Sequence, residues 1–223
     1  MQAGTGQGAP KQYLEIQGKT ILQHTLEKIS RIESLDGIVL VLAENDSWWP
    51  QLDINISTPL LTVTGGAERA NSVVNGLNAL AEKAQDNDWV LVHDVVRPCV
   101  SVEEINSLIE ALANNDTGGI LAAPVTETLK EVSATNTDRK TVARTVPREN
   151  YWLAKTPQMF RYGLLKAALE DALDKSASMT DEAHAMESAG HAVTLVQSSS
   201  DNIKITHEED LLLAESILLR HRQ

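Results

Sequence analysis

Short aliphatic runs with few polar residues recur along this chain, separated by amphipathic helical patterns. That alternation restricts the fold more than any other feature. The runs are Gly37–Ala43 (GIVLVLA), Leu60–Thr64 (LLTVT), Trp89–His93 (WVLVH), Gly119–Val125 (GILAAPV) and Ala192–Gln197 (AVTLVQ). Several are apolar throughout rather than alternating, as in strands covered on both faces. Between them, Thr20–Ser30 sets Ile21, Leu22, Leu26 and Ile29 on one helical stripe, and Glu68–Leu80 does the same with Val73, Val74, Leu77 and Leu80. Ser101–Ala113 opens with a Ser-x-x-Glu capping box, and Glu208–Leu219 reads as a closing helix. Strand–helix alternation predicts a mostly parallel sheet with right-handed crossovers and helices on both faces. Ligands of such sheets bind beyond the carboxyl ends of the strands.

One segment breaks the rhythm. Thr128–Trp152 is polar, with two extended stretches around the turn-prone Asn136-Thr137-Asp138. It predicts a β-hairpin arm projecting from the sheet. A lone two-stranded arm is marginal in water, which points to a second subunit as its support. The 223 residues suit one domain spanning 1–223, with the arm at about 128–152. The single cysteine, Cys99, cannot form a bridge within the chain and fits a cytoplasmic protein. No apolar run approaches a membrane span of ~18 residues. The net charge of −12 argues against nonspecific nucleic-acid binding, which depends on phosphate neutralisation. A small anionic ligand would then need a local cluster of Lys and Arg.

Four places can supply such a cluster. Lys11, in PKQYL after Gly4, Gly6 and Gly8, suits a loop that wraps a polyphosphate, though glycines at a chain start more often mark a frayed terminus. Asp94 and Arg97 follow the strand WVLVH in the segment HDVVRP, where an ion-paired strand-end loop is the plain alternative to a ligand site. There Asp94 can meet a sugar hydroxyl or Mg2+, and Arg97 a phosphate. Gly65-Gly66 and Ser72 stand at a strand–helix junction, which allows close approach to a flat base or simply caps the helix. Lys204 alternates with Ile203 and Ile205 ahead of the last helix, as an edge-strand lysine also would.

Taken in order, PKQYLEI, GG-x-ER-x-xSV, LVHDxxRP, GGILAAPVTETLK, TPQ-x-F, TDEA and DNIKIT resemble the 2-C-methyl-D-erythritol 4-phosphate cytidylyltransferases from Pro10 onward. The resemblance implies a Rossmann-like nucleotidyltransferase fold and a homodimer clasped by the β-arm. It also implies Mg2+ held mainly through CTP phosphates, and transfer of CMP from CTP to methylerythritol phosphate. It assigns Lys11 and Lys204 to catalysis at the phosphates. Gly4, Gly6, Gly66, Ser72, Asp94 and Val95 fall to the nucleotide, and Asp94, Arg97, Thr128, Arg148, Thr156 and Lys204 to the sugar-phosphate substrate. Thr128 and Arg148 would reach a neighbouring subunit's site. Ala67 stands where the family often has an acidic residue, and Val95 could crowd the ribose. A ribitol 5-phosphate cytidylyltransferase or an inactive truncated dimer are the rival readings. Family members open with an apolar strand and an Ala-Ala-Gly-x-Gly-x-Arg-Met loop that this sequence lacks at least in part. Met1 aligns either after the missing arginine or ahead of an Ala3–Gly6 remnant of that loop. Loss of the strand predicts an unpaired interior edge, reduced stability and little or no turnover.

Overall fold

Thr20 shows how local sequence fixes the elements. Its hydroxyl accepts from the Gln23 N–H, and the Gln23 side chain accepts from the Thr20 N–H, so a reciprocal cap starts the first helix. The computed structural model describes residues 8–133 and 139–221. After a 3-10 turn at Lys11–Tyr13 come a small hairpin, β1 (Glu15–Ile16) and β2 (Lys19–Thr20), then α1 (Ile21–Ile29) and β3 (Ile38–Leu42). β4 (Leu60–Thr64), α2 (Arg69–Asn78), β5 (Trp89–Val92), α3 (Val102–Leu112) and β6 (Gly118–Pro124) follow. The arm is β7 (Leu129–Val132) with β8 (Val142–Val146). The chain ends with β9 (Trp152–Arg161), α4 (Tyr162–Asp174), α5 (Glu182–Ser188), β10 (Thr194–Gln197) and α6 (Glu209–Arg220).

All five expected strands form, and so do the four expected helices. The Ser101–Glu104 capping box at α3 is present with both of its bonds. β9, α4 and α5 go beyond what the sequence patterns indicated. The α/β class holds, with a mixed rather than uniformly parallel pairing. β3 and β4 run parallel, from Ile38 opposite Leu60 to Leu42 opposite Thr64. The larger sheet has the order β10-β6-β9-β5, with β10 parallel to β6 and β9 antiparallel to both of its neighbours. The arm explains the reversal. β6 runs out into a hairpin that returns the chain to the same end of the sheet, so β9 must travel back the other way.

The pleat distributes the larger sheet's side chains between two covered faces. Ile120, Ala122, Phe160, Val90 and Val92 join a core with α2, α4 and α5. Leu121, Met159, Trp89 and Leu91 join another beneath α3. Leu108, Leu121 and Leu165 are fully buried, each contributing roughly 1.5–3 kcal/mol of transfer free energy. Among the described residues β3 is hydrogen-bonded only to β4, and β5 only to β9. Helix α2 packs on both sheets. A Cβ at Gly76 would lie 3.1 Å from the Val41 side chain, while Val74 and Leu77 sit with Val90 and Val92. A methyl group there would press on Val41, so glycine eases the close approach of α2 to β3.

The arm pairs Leu129 with Val146 and Glu131 with Arg144. Its expected end at Trp152 is where β9 starts, and its expected turn at Asn136–Asp138 lies outside the described residues. Val132, Val142, Tyr151, Trp152 and Leu153 are exposed apolar side chains on or beside it. Among the described residues no helix is long and apolar enough to cross a membrane.

Candidate active site

β5 ends at Val92, and the loop after it delivers Asp94 to a point where three cations meet. Lys204 Nζ lies 2.8 Å from Asp94 Oδ2 and Arg97 Nε lies 3.6 Å from the same oxygen. Arg69 Nη2 lies 3.4 Å from Oδ1. Burial pushes the Asp94 carboxyl up. The hydrogen bond and charge of Lys204 outweigh that, with Arg69 and Arg97 adding to them, and hold it below its ordinary range.

Thr156 fixes the main chain of this loop. Its hydroxyl oxygen accepts from the Asp94 N–H at 3.0 Å and lies 3.0 Å from His93 Nδ1. The Arg97 carbonyl, 3.3 Å from Nε2, can only accept, so Nε2 carries the ring proton and Nδ1 accepts from the Thr156 hydroxyl. Burial drives the imidazole down to about 4, so at neutral pH it is uncharged with both nitrogens engaged.

Lys204 arrives on an irregular segment rather than an edge strand, and its neighbour Ile205 is buried. Several bonds hold the loop ahead of it. Asn202, fully buried, donates to the Thr156 carbonyl at 3.0 Å. Arg97 Nη1 donates to the Asn202 carbonyl at 3.0 Å. Lys155 donates to the Ser199 carbonyl at 2.6 Å, and Glu104 Oε1 accepts from both Ser198 Oγ and Ser199 N–H. Arg97 is thus buried and partly committed to the main chain, so here it acts as a brace for the Lys204 loop more than as an open phosphate fork. Lys11 donates to the Thr206 carbonyl, two residues beyond Lys204. Asp94, Arg97 and Lys204 therefore converge, while Lys11 is held to the main chain two residues beyond Lys204.

The glycine-rich junction lies at the end of β4. Gly66 N–H donates to Ser72 Oγ at 3.0 Å, and that hydroxyl donates to the Glu68 carbonyl at 3.1 Å. A Cβ on Gly66 would fall 2.3 Å from the Asn71 Cβ. The Val95 side chain packs beside Leu40 and Leu42, and its carbonyl accepts from Thr25 Oγ1 at 2.7 Å. Thr128 and Arg148 are exposed at the arm, where Arg148 donates to the Thr126 carbonyl. Gly4 and Gly6 lie outside the described residues.

The patterns read from the sequence did not single out Arg69, Glu182 or His93 as site residues. Yet Arg69 stands in the GG-x-ER segment, Glu182 in TDEA and His93 in LVHD. Among the described residues no three His, Cys, Asp or Glu side chains gather as a metal cage. Both Asp94 oxygens are already engaged by cations.

Cations gathered beyond the strand ends of a sheet with this build are a feature of α/β nucleotidyltransferases, and solved structures of that class match this chain along nearly its whole length. The Francisella tularensis 2-C-methyl-D-erythritol 4-phosphate cytidylyltransferase (IspD) aligns with a TM-score of 0.80 at 36% identity, covering 97% of this chain and 96% of that one. A protein of that name from Pseudomonas aeruginosa is 48% identical over 205 residues, covering 91% of this chain and 86% of its own length. One from Vibrio vulnificus is 45% identical over 213 residues, covering 96% and 88%. The sequence profile of the 2-C-methyl-D-erythritol 4-phosphate cytidylyltransferases (IspD) matches residues 2–220. The chain belongs to that family.

Proposed function

We propose that this protein transfers the cytidylyl group of CTP to 2-C-methyl-D-erythritol 4-phosphate, releasing pyrophosphate and supplying isoprenoid biosynthesis in the cytoplasm. Family membership supports the reaction. The observation that carries the site is the meeting of Lys204, Arg97 and Arg69 on Asp94, with Lys11 bound to the same Lys204–Thr206 segment.

The acceptor is a phosphate monoester whose second pKa is about 6, so at neutral pH it is already a dianion. Its oxygen attacks the α-phosphorus in line. A new P–O bond forms as the α–β bridging P–O bond breaks, and the electron pair leaves with pyrophosphate. No proton has to be removed from the nucleophile. That agrees with a site in which His93, next to Asp94, has both ring nitrogens engaged. The barrier is repulsion between anions, and Lys11 and Lys204 are placed to offset it.

Gly66 and Ser72 present a preformed loop to cytosine. Asp94 takes the ribose and polyol hydroxyls, while Thr156 and Arg97 set its loop and that of Lys204. Val95 lies at the ribose edge. Gly4 and Gly6 would add main-chain N–H groups at the triphosphate. Magnesium would enter on the CTP phosphates and neutralise their charge there. A homodimer joined at the β-arm would bring Thr128 and Arg148 to the partner's sugar phosphate. The test is turnover of CTP stereospecifically labelled with sulfur at the α-phosphorus. Inversion is expected, and retention would overturn direct in-line transfer. Ribitol 5-phosphate serves as the parallel acceptor, and preference for it would overturn the substrate assignment.

A further inference from the structure

We infer that Arg69 and Glu182 form a positioning pair that sets the angle of the Asp94 carboxylate and couples the cytosine loop to the phosphate end of the site. The inference rests on the placement of Asp94 and Lys204 proposed above. Glu182 is fully buried at the first position of α5, and Arg69 opens α2 directly after the Gly65–Glu68 loop. Their contact is a two-pronged fork, with Nη1 to Oε1 at 2.6 Å and Nη2 to Oε2 at 2.8 Å. Nη2 also faces Asp94 Oδ1 at 3.4 Å. The guanidinium plane is thereby fixed by a buried carboxylate, and its outer nitrogen fixes one oxygen of Asp94. The other oxygen is left to Lys204.

An ammonium group could not hold both Glu182 oxygens and reach Asp94 in one plane. Without the fork, Asp94 can rotate and offer both oxygens to Lys204, which draws that cation off the phosphates. Any displacement of α2 by the base loop would also reach Asp94 through the same guanidinium. Arg69 and Glu182 touch neither reacting phosphate, so their effect passes through Asp94.

Three variants separate positioning from plain structural support. Arg69→Met leaves Glu182 as a buried unpaired carboxylate and is expected to lower Tm. Adding Glu182→Gln removes that charge, so Arg69→Met/Glu182→Gln is expected to regain most of the lost Tm. Turnover is not expected to return with it. kcat should stay roughly tenfold or more below wild type, with KM for CTP changed less than about threefold. Arg69→Lys, which keeps the charge and the fold, should show the same loss in kcat. Calorimetric affinity for CDP-methylerythritol should fall in parallel at wild-type-like Tm. If the double variant or Arg69→Lys keeps both kcat and that affinity within about threefold of wild type, the pair is only structural and the inference fails. Lys204→Ala, run alongside, distinguishes this from failure of the site assignment. If it too is without effect, the site assignment falls.

Discussion

Thr156 and Asp94 are joined by a hydrogen bond of 3.0 Å from the Asp94 N–H to the Thr156 hydroxyl, which ties the end of β5 to the middle of β9. The Asn202 side chain donates to the Thr156 carbonyl, so one residue of the central strand holds both the loop that bears the carboxylate and the loop that bears Lys204.

Removing either lysine should leave the fold and cut the rate. Lys204→Ala and Lys11→Ala are expected to lower kcat by about 10²–10³-fold, the usual cost of deleting one group that meets developing charge. Circular dichroism should stay close to wild type, since Lys204 is half exposed and Asp94 keeps Arg69 and Arg97 as partners. Steady-state pyrophosphate release reads the rate. A kcat within fivefold of wild type for both variants would contradict the assignment.

Gly66→Ala should act on nucleotide binding. The new methyl group would sit 2.3 Å from the Asn71 Cβ, so the loop has to shift and the Gly66–Ser72 bond is lost. KM for CTP is expected to rise about tenfold, corresponding to roughly 1.4 kcal/mol of binding. KM for the polyol phosphate should change little, and initial-rate kinetics with each substrate varied in turn separates the two.

His93 gives the folded chain an acid-side weakness. Its ring titrates at about 4 when folded and near the ordinary 6.5 when unfolded. Between those values the unfolded chain binds more protons, so stability falls as pH falls. The contribution is complete above about 6.5 and gone below about 4, and amounts to at most about 3 kcal/mol. His93→Gln, which cannot titrate, should flatten the pH dependence over that window. Urea unfolding at pH 5 and pH 7.5 on both proteins measures it, and parallel curves would disprove the claim.

The arm predicts complementation. Arg148→Ala and Lys204→Ala protomers, each nearly inactive alone, should regain about a quarter of wild-type turnover when mixed at equal amounts and allowed to exchange. Half of the random dimers would then hold one intact site. If Arg148 serves its own protomer, the mixture stays at the level of the separate variants. Leu153→Asp, at the exposed apolar base of the arm, should shift the sedimentation coefficient toward the monomer.

The parts of this molecule legible in its sequence are those governed by local chemistry. The cap at Ser101, the stripe of α1 and the aliphatic runs of β3 to β6 are each decided by neighbouring residues. β9 escaped because it is an interior strand carrying Lys155, Thr156 and Gln158, a composition that suggests a loop. Those groups are satisfied by partners far away in sequence, the Ser199 carbonyl for Lys155 and the Asp181 side chain and Ala183 N–H for Gln158. α4 escaped because Ala168 and Ala172 thin its apolar stripe. At the site, the resemblance indicated Lys11, Asp94 and Lys204. The brace role of Arg97 and the Arg69–Glu182 fork depend on tertiary placement, which no spacing rule encodes.

The two sheets give the site a softness of its own. Gly66 follows a strand of the β3–β4 pair, and Asp94 follows a strand of the larger sheet, so the grip on the base and the grip on the phosphates ride on separate rigid plates. Among the described residues they are spanned by side chains beneath α2 and by the Arg69 guanidinium rather than by a ladder of main-chain bonds. Trimming Val74 or Leu77 would loosen that packing and is expected to weaken the hold on CTP along with stability.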